Sequence, residues 1–441
     1  MPANADMNFD LPSGLVDYLA ELDAFIEREI RPLEETDDNI RFFDHRREWA
    51  RTDFERGGLP RPEWEALLRR AKNLADEAGH YRFALPKKYG GRDGSDLWMA
   101  VIREHFAAKG LGLHNDLQNE HSIVGNLPLV TMLDLYGRPE QRSMIEGGIT
   151  GQYRITFGLT EPQHGSDATH MATRAVRATR NGVPGWEIDG EKMWTTVMHV
   201  AKHCALFVRT SGRDGDAAGI TCFLVPADSE GVKVEEYLWT FNMPTDHPRV
   251  SFTGVFVAED ALFGEVGKGL ALAQCFVHQN RIRQAASSLG AAVYCINESV
   301  AYARERKPFG RPLAENQAIQ WPLVELATQA EMLRLLIRKT AWQMDQMTQA
   351  EIEHKLSDKV SMCNYWANRL CCEAADRAMQ VHGGIGYSRH KPFEHIYRHH
   401  RRYRITEGSE EIQMRKVAGF LFGYMGPRRG ATRPASAGRT A

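Results

Sequence analysis

Ile220-Thr-Cys-Phe-Leu-Val225 reads as a short strand, as do Ala205-Leu-Phe-Val208 and Val250-Ser-Phe-Thr-Gly-Val-Phe-Val257. β-Branched and aromatic side chains suit a pleated, packed surface. Asn181-Gly182, Asp189-Gly190, Arg213-Asp-Gly215 and Glu230-Gly231 punctuate these runs. Short strands between such turns predict a small antiparallel barrel or sandwich over residues 153–262. On either side the period changes. Over 8–152, Leu15, Leu19, Leu22, Phe25 and Ile26 recur at helical spacing, and a second helix is expected over Pro62–Ala78 with Pro62 in its first turn. Pro86–Gly94 reads as a loop. Over 263–425, Leu289, Ala292, Val293, Ile296, Val300 and Ala303 form one helical stripe. Leu323, Leu326, Ala327, Ala330, Leu333, Ile337 and Ala341 form another, which predicts long antiparallel helices in a bundle. Residues 426–441, rich in Gly, Pro, Ser, Ala and Arg, are expected to be a disordered tail. The order helices, strands, helices defines an α+β chain.

Composition narrows the function classes. The 441 residues correspond to about three domains. Hydrophobic residues at 43% and charged residues at 25% are ordinary for a soluble globular chain. A net charge of −2 argues against a generic nucleic-acid binder. No apolar run reaches the roughly 18 residues of a membrane span. Met1-Pro-Ala-Asn-Ala-Asp6 lacks a secretory pattern. The 7 cysteines form no Cys-x-x-Cys, which suits reduced thiols, and a cytoplasmic protein is expected.

Nucleotide and metal motifs are weak. Gly264-Glu-Val-Gly-Lys-Gly269 has the wrong spacing for a phosphate loop, and no Ser or Thr follows its lysine. Gly383-Gly384-Ile-Gly386 follows a helical pattern rather than a strand, so Gly383-Gly384 reads first as a helix C-cap. His395, His399 and His400 are spaced as on a helix but lie within a basic run, where a solvated or ion-paired face is expected and no metal site. From His390 to Arg404, nine of fifteen residues are His, Lys or Arg. An ion-paired helix face, a phosphate site and a nucleic-acid patch all remain open for that run.

Two segments of the strand zone stand out. In Phe157-Gly-Leu-Thr-Glu-Pro-Gln-His-Gly-Ser-Asp167 a β-rich entry leads to a Pro/Gly turn flanked by the Thr160 and Ser166 hydroxyls, which can face an acceptor-rich ring. In Gly190-Glu-Lys-Met-Trp-Thr-Thr196 an indole beside hydroxyls can flank a planar heteroaromatic group. Both segments resemble flavin-contacting signatures of the acyl-CoA dehydrogenases. Glu305-Arg-Lys-Pro-Phe-Gly310 with Asn316-Gln317 resembles that family's inter-subunit FAD segment, and Gln380-Val-His-Gly-Gly384 resembles the segment that meets the neighbour's FAD. Glu407-Gly-Ser-Glu-Glu-Ile-Gln413 resembles the closing motif. The five occur in family order over about residues 10–425.

The resemblance implies an N-terminal helical domain (8–152), a middle β-barrel or sandwich (153–262) and a C-terminal four-helix bundle (263–425). It implies FAD as cofactor and α,β-dehydrogenation of an acyl-CoA, with electrons passing to an electron-transfer flavoprotein. Phe157, Leu159, Thr160, Gly165 and Ser166 would line the flavin and the thioester, with Trp194 beside the ring and Thr196 near its N5. Arg306, Phe309, Gln317, Gln380, Gly383 and Gly384 would hold a neighbouring subunit's FAD, which implies a homodimer or homotetramer. Ser409 and Glu411 would approach their own FAD; Arg281 and Gly408 would lie at the substrate. Glu407 would be the base that removes the α-proton while the β-hydride goes to flavin N5. Gln163-His164 stand where small residues are common, Glu411 where glutamine is frequent, and His278 and Asn280 are unusual before Arg281. A flavin oxidase or monooxygenase on the same fold, and a non-catalytic nucleic-acid-binding relative, are the competing expectations.

Overall fold

The computed structural model describes residues 9–117 and 120–426; the expected tail after Gly426 lies outside the described residues. The first helical region opens with α1 (Ser13–Phe25), which buries Leu15, Tyr18, Leu22 and Phe25 on one face. Helix α2 (Pro62–Glu77) starts at the proline expected in its first turn and buries Trp64, Leu67, Ala71 and Ala75. Helix α3 (Asp96–Ala108) is capped by Ser95, whose hydroxyl accepts from the Trp98 N–H at 3.2 Å.

Eight strands follow: β1 (Ile155–Gly158), β2 (Arg174–Arg180), β3 (Val183–Met193), β4 (His203–Arg209), β5 (Ile220–Pro226), β6 (Val232–Tyr237), β7 (Pro248–Ala258) and β8 (Leu262–Phe263). They form one sheet in the order β8-β5-β4-β2-β3-β7-β6, with β1 on β4. The pairing is not antiparallel throughout. β1 runs parallel to β4 over Ile155–Gly158, and β2 meets β4 in parallel at Arg174 and Arg209. Turn-rich spacing predicts hairpins, but it cannot show that β1 skips the β2–β3 hairpin to join β4. β4 and β5 are covered on both faces, which explains their continuous apolar runs. Ala205 and Phe207 enter the core shared with the N-terminal helices, whereas Leu206 and Val208 enter the core of the other face.

The last region is built on α4 (Gly269–Glu305), 37 residues long. With α5 (Gln317–Met344) and α6 (Ser357–His382) it encloses a core that also takes Ala100 and Ala107 from α3. Gly290 permits that crossing, because a Cβ there would stand 2.3 Å from the Glu104 carbonyl oxygen. Helix α6 ends at Gly383, in the left-handed region at φ 66°. Helix α7 (Phe393–Tyr403) corrects one expectation: His395, His399 and His400 are buried, not solvated. His400 Nδ1 lies 2.8 Å from Ser288 Oγ, and His395 stacks on His45. The arginines take the outer face, with Arg398 2.7 Å from Glu394 and 3.2 Å from Glu48. A run rich in His and Arg does not reveal that imidazole and guanidinium divide between two faces. Helix α8 (Glu410–Leu421) closes the bundle. Among the described residues no helix is long and apolar enough to cross a membrane.

Candidate active site

Glu407 lies in the turn between α7 and α8 with φ 56°, a left-handed conformation that costs a non-glycine residue energy unless its surroundings enforce it. Arg281 on α4 enforces it. Its Nε and Nη2 donate to the Glu407 carbonyl oxygen at 2.9 and 2.6 Å, and its Nη1 donates to Ser361 Oγ at 3.3 Å. Gly408 continues the turn at φ 88°, and a Cβ there would come within 2.9 Å of Arg281 Nη2. Asn280 Nδ2 donates to Glu407 Oε1 at 3.3 Å, and Asn280 Oδ1 accepts from Asn126 Nδ2 at 3.1 Å. Glu407 Oε2 and the Glu407 backbone N–H have no hydrogen-bond partner among the described residues. Burial raises the carboxyl above the ordinary glutamate range, against the pull of Arg283, Arg281 and the Asn280 amide. The base candidate is therefore oriented from its backbone and one oxygen, with the other oxygen unengaged.

Behind it lies a buried charge pair that the motif reading missed. Arg283 pairs with Glu120, which also accepts from the Tyr403 hydroxyl at 2.8 Å. Burial would raise the Glu120 carboxyl, but Arg283 and the Tyr403 and Arg103 neighbours outweigh it and hold it at about 2. Arg103 donates to the Glu120 and Val124 carbonyl oxygens. Arg283 also lines a cavity of about 70 Å³ with Asp96, Asn126, Leu127, Gln279 and Ile282. Burial and the nearby Asp345 push Asp96 up to about 7. An arginine two positions after Arg281 was the available sequence signal.

The strand zone presents a second set. Trp194 follows β3 at φ 63° with 46% of its surface exposed, and Val197 is also left-handed. A large ring held open on strained backbone is suited to stacking on a planar ligand. Thr196 Oγ1, exposed beside it, lies 3.0 Å from His247 Nδ1, while the Thr196 carbonyl accepts from Thr156 Oγ1 at 2.6 Å. Phe157 stacks on Phe276 with ring centres 4.4 Å apart. Leu159 and Thr160 are half-buried, and the Thr160 carbonyl accepts from the Met193 N–H at 2.8 Å, which ties the two flavin-like segments together. Gly165 and Ser166 are exposed, and a Cβ on Gly165 would meet nothing within 4 Å. The loop is held from inside by Glu161, which accepts from the Ala172 and Thr173 N–H groups at 2.6 and 2.9 Å and pairs with the buried Lys192 at 2.8 Å. That pair also escaped the motif reading, although both residues stand inside the quoted segments.

The remaining residues lie elsewhere. Arg306 caps the far end of α4, 25 positions from Arg281 and roughly 37 Å along a helix rising 1.5 Å per residue. Phe309 is 105% exposed at φ 55°. Gln317, Gln380, Gly383 and Gly384 are exposed as well. Ser409 precedes α8, and Glu411 is exposed in its first turn, where an anion suits the helix N-terminus. The neighbouring Glu410 takes the ion pairs, to Arg369 at 3.0 Å and Arg404 at 2.9 Å.

A helical front, a sheet with an open aromatic rim and a helical bundle presenting a half-buried glutamate define a class. Residues 156–255 match the model of the acyl-CoA dehydrogenase middle domain, and residues 267–422 match that of the C-terminal domain. The chain belongs to the acyl-CoA dehydrogenase family and is an FAD-dependent oxidoreductase. It is 31% identical to the caffeyl-CoA reductase–Etf complex subunit CarC of Acetobacterium woodii, over 78% of this chain and 87% of that one. It is 32% identical to the 3-(aryl)acrylate reductase of Clostridium sporogenes, with the same two coverages of 78% and 87%. The fold superimposes on acyl-CoA dehydrogenase from Geobacillus kaustophilus with a TM-score of 0.73 at 24% identity, covering 94% of this chain and 100% of that one. The open Trp194 ring, the Thr196 hydroxyl and the unobstructed Gly165–Ser166 backbone fit a flavin.

Proposed function

We propose that the protein interconverts saturated and α,β-unsaturated acyl-CoA thioesters, with Glu407 moving the α-proton. The observation that carries this reading is the clamped Glu407, with a raised carboxyl and an unengaged Oε2. An α-proton of a thioester is weakly acidic, so its removal needs a positioned base and a donor to the carbonyl oxygen. Glu407 Oε2 accepts the proton, and the Glu407 N–H is the chain's candidate donor to that oxygen. Phe157, Leu159, Thr160, Trp194 and Thr196, with Gly165 and Ser166, would hold the flavin. When bound there, FAD supplies the two-electron acceptor for the β-hydrogen. Arg281 and Gly408 shape the substrate side by fixing the Glu407 turn.

The two reductase relatives favour operation in the saturating direction as well. The same residues serve it in reverse, with protonated Glu407 returning the α-proton. The Etf-complex relative supports an electron-transfer flavoprotein as electron partner. Exposed Arg306, Phe309, Gln317, Gln380, Gly383 and Gly384 are suited to a neighbouring subunit's FAD, at its adenosine half. Trp321, Val324, Met332, Leu335 and Trp342 form an exposed apolar stripe on α5, which supports a homodimer or homotetramer. Anaerobic mixing with a panel of saturated acyl-CoA thioesters tests the forward reaction by bleaching of the flavin. The reverse is tested with the 2,3-unsaturated thioesters and the chemically reduced enzyme. No spectral change in either direction with any thioester would overturn the reading.

A further inference from the structure

A second, larger cleft of about 500 Å³ opens between the 40–51 segment and the 389–392 loop that leads into α7. It is separate from the Glu407 site. Its contribution from α4 is Tyr294, 11 residues beyond Arg283 and roughly 16 Å further along the helix. Arg46, Arg47 and Arg51 line one side, and Arg389 and Lys391 the other. The carboxylates in the lining are Asp44 and Asp116, so cations outnumber them five to two.

Carboxylates just outside the lining, Glu48, Glu394 and Glu298, offset most of that excess, although Glu48 and Glu394 are shared with Arg398. Arg46 and Arg47 share Asp44, at 2.8 and 3.2 Å, and Arg51 is 2.6 Å from Asp116. Arg389 reaches Glu48 at 3.3 Å and Glu394 at 3.7 Å, and Lys391 stands 3.9 Å from Glu298. Cations that face one another across a cleft repel and focus a positive potential there. Two imidazoles, the half-buried His45 and the buried His395, stand on its wall. His45 and His395 stack with ring centres 4.2 Å apart, and burial together with the surrounding arginines holds both neutral, His45 at about 4. Phe43 and Tyr294 add aromatic faces, with the Arg51 guanidinium 5.3 Å over the Phe43 ring.

We propose that this cleft binds an organic phosphate carrying a flat apolar group, such as an adenine nucleotide. The phosphates would lie between the Arg46–Arg47 and Arg389–Lys391 sides, where guanidinium forks match phosphate oxygens. The flat group would lie against Phe43 and Tyr294. A cleft of this size is within the range of small-molecule sites.

The test is calorimetric titration of the flavin-loaded enzyme with ADP, and with adenosine and inorganic pyrophosphate as separate probes. One ADP per chain is expected, with adenosine weaker by roughly tenfold or more for want of phosphate contacts. ADP binding should persist when acyl-CoA saturates the Glu407 site anaerobically. Lys391→Glu should weaken ADP by roughly tenfold or more, since it adds repulsion as well as removing a cation, while flavin content and turnover stay unchanged. The milder Arg47→Gln, expected to weaken ADP several-fold, gives the same reading should the reversal fail to fold. Absence of ADP binding at millimolar concentration, adenosine binding as tightly as ADP, one-for-one displacement of ADP by acyl-CoA, or unchanged affinity in both variants would each overturn the proposal. The ADP, adenosine and variant affinities do not depend on catalysis, so the site stands or falls separately from the dehydrogenase reading.

Discussion

The two ends of α4 handle charge in opposite ways. At the Arg281 end, the polar groups are matched within the chain: Arg281 with the Glu407 backbone, Arg283 with Glu120, Asn280 with the Glu407 carboxylate. At the Arg306 end, Arg306, Phe309 and Gln317 face outward, with Phe309 fully exposed on strained backbone. The first end is preorganised by its own chain, as proton transfer requires. The second end spends strain and exposure without an intramolecular return, the pattern of a surface completed by another molecule.

The largest effect expected is at the preorganised end. Glu407→Gln keeps nearly the same volume and the Asn280 contact, but it cannot hold the proton. Turnover should fall by roughly 10²–10⁴-fold while flavin content stays unchanged. Flavin reduction within a few-fold of the parent rate, read by rapid mixing, would remove Glu407 as the base.

Arg283→Met should be the most costly for stability. It strands Glu120 as a buried unpaired charge, which typically costs about 3–5 kcal/mol. Adding Glu120→Gln should restore much of the loss, and denaturant titration of both variants would read it. A loss no larger than that of a surface substitution would mean that water reaches the pair.

Arg306→Ala sharpens the contrast. An exposed arginine should change stability by only about 0.5 kcal/mol or less, yet flavin retention and oligomer mass should drop together. Light scattering with flavin quantification checks this. A variant that stays assembled and fully flavinylated would leave the outward end without a cofactor role.

The smallest effect is on pH dependence, and here two carboxylates move apart. Glu407 must be unprotonated to accept a proton, so kcat/KM in the dehydrogenating direction should rise with pH through a midpoint above the ordinary glutamate value of 4.5. Glu120 is held at about 2, below that same 4.5. A depressed carboxyl adds stability above its unfolded value and loses it as pH falls, so this contribution should be present above 4.5 and gone near 2. An acid limb at or below 4.5 would show that burial does not dominate at Glu407.

Much of this was legible because it is local. The β-rich runs at 205–208 and 220–225 became β4 and β5, and Pro62 opened its helix where expected. The Trp194, Thr196 and Glu407 motifs mark backbone and side-chain features confined to a few consecutive residues. What escaped was long-range. Glu120 and Arg283 are 163 positions apart, Asn280 and Glu407 are 127 apart, and Glu161 and Lys192 are 31 apart. No spacing rule links such partners. The parallel joining of β1 to β4 and the inward turn of His395, His399 and His400 are of the same kind.

The sequence by itself determined the order of elements, the family, and which glutamate and which tryptophan carry the recognisable motifs, because periodicity and turn chemistry act over one or two turns of chain. Only the tertiary structure decided that Arg281 grips the Glu407 backbone, that the Arg283–Glu120 ion pair lies behind it, and that the cations of 46–51 and 389–391 face each other across a cleft. Those outcomes depend on which surfaces meet when the helices pack on the sheet, and on burial, which sets the strength of every charge interaction there.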